Sequence, residues 1–120
     1  MNIVVVHVKR SNHPYTINVG RPSVLGNPFS HLSYVKHVTH VPTVEDAVQH
    51  YKSWLIDRIA DSQPVRSALN HIINVGQQHG TVHLACWCKD ETKPYPSDHV
   101  CHADVIRNAI MTHLSEQEST

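Results

Sequence analysis

Hydrophobic positions along the chain change period several times, and the changes mark out the elements. Ile3–Val8 is a short run rich in β-branched residues and predicts a buried strand. Ser11-Asn12-His13-Pro14 is turn chemistry, and Tyr15–Val19 alternates as a second strand. From Gly20 to about Pro42 no period persists, and the stretch holds two glycines and three prolines. An irregular loop of that length is uncommon in a small domain and is usually functional.

A helical period then takes over. Thr43 with Asp46 forms a capping-box-like pair, Asp standing for the usual Glu. Ala47, Val48, Tyr51, Leu55 and Ile59 follow at helical spacing, with Trp54 expected in the core. Ser62-Gln63-Pro64 ends that helix and starts another, Pro64 being tolerated in a first turn. Val65, Leu69, Ile72 and Ile73 give the second helix its face, and Gly76 and Gly80 are expected to end it. Thr81–Cys86 predicts a third strand, with His83 half-exposed in its middle. Trp87–Ser97 reads as a polar loop, and roughly Cys101–Leu114 as a last helix. Residues 115–120 are expected to be a frayed tail.

This order predicts one small α/β domain over residues 1–114, a mixed sheet of three or four strands with about three helices. The first and third strands, separated by helices, are expected to run parallel. The second is less determined: a hairpin with the first would make it antiparallel and carry residue 21 to the wrong edge.

Composition narrows the class. At 120 residues the chain can bury a modest core, and 40% apolar with 17% charged residues argues against disorder. Ten basic residues balance ten acidic ones, which excludes a strongly basic nucleic-acid coat but not a local patch. No apolar stretch is long enough for a membrane helix, and MNIVVVHVKR lacks the layout of a signal peptide. Three cysteines, an odd count, favour reduced thiols, metal ligation or catalysis over a disulfide scaffold, and so a cytoplasmic setting. Twelve scattered histidines would swing the net charge positive in mild acid.

The cysteines cluster. Cys86-Trp87-Cys88 closes the third strand and Cys101-His102 opens the last helix, where unsatisfied N–H groups lower a thiol pKa. Two chemistries fit. Cys86, Cys88, Cys101 and His102 supply the donor types of a zinc site, although adjacent ligands are awkward on one ion. Alternatively, Cys88 or Cys101 is a nucleophile or ligand contact, with His102 as general acid or base and Asp104 orienting it. The plainer reading makes Cys86 a small buried hydrophobe. The second candidate is the loop Gly20–Phe29. Gly20, Gly26 and Asn27 can turn sharply, and Arg21 can clamp a phosphate or carboxylate, yet neither a P-loop nor a dinucleotide fingerprint is present. There too a plainer reading exists, a rigid loop with Phe29 plugging the core.

Gly20-Arg21-Pro22, Leu25-Gly26-Asn27-Pro28-Phe29, Ala47-Val48 with Tyr51, Leu84-Ala85-Cys86-Trp87-Cys88 and Cys101-His102-Ala103-Asp104 occur in that order. The set resembles a small domain family of unknown function, common in bacteriophages and bacteria, with GR, GNPF, CWC and CHGD motifs. The resemblance covers roughly residues 3–114. It directs attention to Arg21, Asn27, Cys88, Cys101, His102 and Asp104 without supplying an activity. This chain departs from it in the extended link Lys89–Val100 and in Ala103 where the family has glycine, which removes room for a close backbone approach. Two functions are carried forward. One is an enzyme or binder directed at a nucleotide or nucleic-acid-derived ligand, in the host cytoplasm if phage-encoded. The other is a non-catalytic module, with structural or zinc-bound cysteines, that binds a host protein. Arg21, Asn27, Cys88, Cys101 and His102 are expected to converge on one concave patch.

Overall fold

The computed structural model describes residues 1–7, 13–21, 23–30, 36, 38–86 and 102–118. Strand β1 (Asn2–His7) and β2 (Thr16–Asn18) are followed by two two-residue strands, β3 (Phe29–Ser30) and β4 (Thr39–His40). Helices α1 (Val44–Asp61) and α2 (Gln63–His79), strand β5 (Thr81–Cys86) and helix α3 (His102–Glu118) complete the order. The α/β class with three helices is as the periodicity predicts.

Local chemistry accounts for the helix ends. Thr43 caps α1 by accepting from the Asp46 N–H at 3.1 Å. Ser62 closes α1, its N–H bonding the Arg58 carbonyl, and its hydroxyl accepts from the Val65 N–H to open α2. Pro64 sits in the first turn of α2, where no donor is missed. Gly80 ends α2 at φ 83°, a left-handed conformation that favours glycine. Gly76, expected to help end the helix, is buried inside it. A Cβ there would press on the Met1 side chain and reach 3.3 Å from Val82 Cγ1. Helix α3 runs on to Glu118, past the expected end at Leu114.

The main sheet has the order β1-β5-β2, and every described pairing in it is parallel. Val4 and Thr16 flank His83 from the two sides. The hairpin alternative for the second strand is therefore overturned: β2 pairs with β5, not with β1. Within the Gly20–Pro42 stretch, β3 and β4 form a separate parallel pair, tied by Thr39 N–H to the Pro28 carbonyl and Val41 N–H to the Ser30 carbonyl.

Alternation puts Val82, Leu84 and Cys86 on one face of β5 and Thr81, His83 and Ala85 on the other. The first face meets the helices in one core, where Tyr51 and Leu55 of α1, Leu69 and Ile72 of α2, and Ile106 and Ile110 of α3 pack with Ile3, Val19 and Leu25. Each fully buried aliphatic side chain there contributes about 1.5–3 kcal/mol. Trp54 is partly buried against this core, as expected. Phe29 is not in it; half-buried, it stacks on His50 at 5.2 Å.

Candidate functional site

Three parallel strands end at one edge, and the chain leaves β2 there. The Val19 N–H continues the ladder to the Ala85 carbonyl at 2.9 Å. The Asn18 side chain accepts from the Gly20 N–H at 2.8 Å and turns the backbone off the sheet. Two further turns follow, Ser23 N–H to the Gly20 carbonyl and Gly26 N–H to the Ser23 carbonyl. The loop thus folds back on its own start.

That return requires a glycine. A Cβ on Gly26 would lie 2.9 Å from the Arg21 Cα and 3.0 Å from its nitrogen, closer than side-chain carbons approach backbone. With the two segments in contact, Arg21 Nη1 donates to the Asn27 carbonyl at 2.7 Å. Arg21 is exposed, so its guanidinium stands at the edge with other N–H groups facing solvent.

Asn27 does something else. Its Nδ2 donates to the Ala47 carbonyl at 3.3 Å and its Oδ1 accepts from the Phe29 N–H at 2.9 Å. The buried amide is used at both ends to hold the loop on the first turn of α1. The ligand contact expected of the Asn27 side chain is therefore replaced by a positioning role. Tyr51, fully buried on α1, donates its hydroxyl to the Leu25 carbonyl at 2.7 Å. Sequence reasoning placed Tyr51 on the apolar face of the first helix and missed this role; the one signal for it was that a buried tyrosine hydroxyl needs a partner.

Helix α3 begins at the same edge. His102 is buried, with Nε2 2.8 Å from the Val19 carbonyl. A carbonyl only accepts, so Nε2 carries the hydrogen. That nitrogen is used to join α3 to the end of β2. The Tyr51 ring meets the His102 ring edge-on, with centroids 5.2 Å apart. Asp104, in the first turn of α3 and buried, lies 3.7 Å from Arg107 Nη2.

The Arg21 loop, Asn27 and His102 lie at the C-terminal edge of the sheet, linked through Val19, Leu25 and Tyr51. Cys88 and Cys101 lie outside the described residues. Cys86 is fully buried in the core with Val82 and Leu84, as a small hydrophobe. Among the described residues no group of three or more His, Cys, Asp or Glu side chains is placed to hold a metal ion.

Comparison with known proteins adds one match. A family model described as a domain of unknown function, DUF4326, matches residues 6–112. No curated protein and no solved structure matches the chain.

Proposed function

Because the chain belongs to the DUF4326 family, whose function is unknown, we propose from its own site that it binds a phosphate-bearing ligand, a nucleotide or nucleic-acid-derived molecule, at the Arg21 edge. One observation carries the reading: the hydrogen bond from His102 Nε2 to the Val19 carbonyl. It ties the start of α3, with its positive dipole end, to the strand end from which the Arg21 loop springs. A guanidinium and a helix N-terminus then serve one edge of a parallel sheet, where open α/β domains take ligands.

Roles follow from the contacts. Arg21 is the phosphate contact, steadied by the Asn27 carbonyl. Gly20 and Gly26 shape the loop, while Asn27, Tyr51 and His102 position it. Cys88 or Cys101, which lie outside the described residues, is the nucleophile of an enzymatic version of this reading, and Asp104 stands in the first turn of α3. The phage-type setting and the cytoplasm, the host's where phage-encoded, belong to the same proposal. They rest on the motif resemblance and on the odd cysteine count. Among the described residues no helix is long and apolar enough to cross a membrane.

The test is a thermal-shift panel of inorganic phosphate, nucleoside mono-, di- and triphosphates, and unphosphorylated nucleosides, on wild type and Arg21→Gln. A ligand present at about a hundred times its Kd stabilises by about 2.7 kcal/mol. A phosphorylated ligand should raise the melting temperature of wild type but not of the variant, and the matching nucleoside should do neither. No shift across the panel, or an equal one in Arg21→Gln, sinks the reading and puts the protein-interaction module ahead.

A further inference from the structure

At the opposite end of β2 the rings of His13 and His83 stack, with centroids 4.1 Å apart and planes 10° from parallel. His83 points to the sheet face away from the helices, so His13 covers that face. His13 is also part of a closed turn. Its Nδ1 accepts from the Tyr15 N–H at 3.1 Å, and its carbonyl accepts from the Thr16 hydroxyl at 2.6 Å. The next link is to the sheet itself, His83 N–H donating to the Tyr15 carbonyl at 2.9 Å. Two imidazoles thus hold the first residues of β2 through a stack, a side-chain acceptor and the ladder.

This arrangement is compatible with only one charge state. An imidazole that accepts at Nδ1 is neutral, because the cation carries a hydrogen on both nitrogens. Protonating His13 sets one N–H against another at Tyr15 and removes the bond. Protonating His83 as well places two like charges face to face. The other titratable groups at the cluster, among the described residues, are Tyr15, edge-on to His13, and His79 at the end of α2, stacked on Tyr15 at 3.7 Å. Val4 and Thr16, which flank His83 from β1 and β2, bring no charge.

We infer that the His13–His83 stack is a proton-sensitive clasp on β2, closed when both rings are neutral and released in mild acid. Strand β2 is only three residues long, and the Arg21 loop begins just beyond it. Release at Tyr15 therefore loosens the strand that carries the loop. The consequence for ligand binding rests on the reading of that loop as the ligand site; the clasp itself does not. The direction of the His83 shift agrees: burial, and then the charge of His13, hold its pKa below the usual histidine value.

Amide hydrogen exchange followed by NMR tests the clasp without any ligand. Protection factors, corrected for the intrinsic pH dependence of exchange, are read at the His83 and Val19 amides from about pH 7.5 to about pH 5.5, the range of histidine titration. Wild type should lose protection at both amides as the pH falls. His13→Asn keeps an acceptor for the Tyr15 N–H but cannot titrate, and its protection should stay flat. If His13→Asn does not fold at neutral pH, His13→Ser, whose hydroxyl accepts from the Tyr15 N–H and does not titrate, should show the same flat profile. Unchanged protection in wild type, or a fall that persists in the folded variant, overturns the inference. Failure of the phosphate panel leaves these amides unaffected, so the two proposals fail separately.

Discussion

The side chain of His102 and the carbonyl of Val19, 83 positions apart in sequence, meet at 2.8 Å in the buried seam between α3 and β2. Val19 is fully buried and His102 nearly so. The bond fixes the imidazole with its hydrogen on Nε2 and gives the Val19 carbonyl, just past the end of β2, a side-chain partner from α3.

Replacing His102 by alanine therefore leaves a buried carbonyl without its partner. The expected cost is about 1–3 kcal/mol, read as a lower urea midpoint. If His102 were instead a catalytic group with no structural duty, the variant would unfold at the wild-type midpoint.

Tyr51→Phe removes one hydroxyl from the core and leaves the ring beside His102. The Leu25 carbonyl loses its donor, so stability should drop by about 1–2 kcal/mol. Anion binding should weaken as well, since Leu25 lies inside the Arg21 loop. Equal stability of Tyr51→Phe and wild type would contradict the assignment.

Two glycines fail for different reasons. Gly80→Ala is strained by its left-handed backbone, with open space around the new carbon; about 1 kcal/mol is expected. Gly26→Ala collides with the Arg21 backbone, so the loop must open, at about 1–3 kcal/mol. Phosphate titration separates them: Gly80→Ala should bind like wild type, and Gly26→Ala should not.

The His83 shift sets a pH dependence of stability. Its folded-state pKa lies below the unfolded value of 6.5, so the unfolded chain takes up the proton first as pH falls. Stability is fully present above about pH 6.5 and declines below it as pH approaches the folded value. Urea midpoints across that range should fall in wild type and fall less in His83→Phe. A midpoint that rises with acid would reverse the sign and refute the argument.

Arg21 offers the complementary case. It is exposed and makes one hydrogen bond to a carbonyl within its own loop. Arg21→Gln should change stability by less than about 1 kcal/mol and remove binding of phosphate-bearing ligands. Loss of folding in this variant would mean that the guanidinium is a structural strut.

Much of the fold was legible in local pattern. The caps at Thr43 and Ser62 were readable because a side-chain oxygen three residues before a helical N–H needs no distant partner. The apolar faces of α1 and α2 follow from one period. The last helix ran past its prediction because Ser115–Glu118 carries no apolar face to signal it, though the backbone bonds continue. Asn27 and His102 were singled out for chemistry by residue type, yet their contacts at Ala47, Phe29 and Val19 make them props of the site. A polar side chain named by sequence does not reveal whether its partner is a ligand or a backbone carbonyl brought in from far away.

By itself the sequence determined the α/β class, the three helices, strand β5 to its end residues and the loop that bears Arg21, because each depends on contacts within a few residues. Only the tertiary structure decided that β2 lies beside β5 and runs parallel to it. Three residues of alternating pattern state that a strand exists, but the ladder bonds that choose its neighbour join positions such as Val19 and Ala85, and nothing local to either one encodes the other. That choice of neighbour sends Arg21 to the edge where α3 begins.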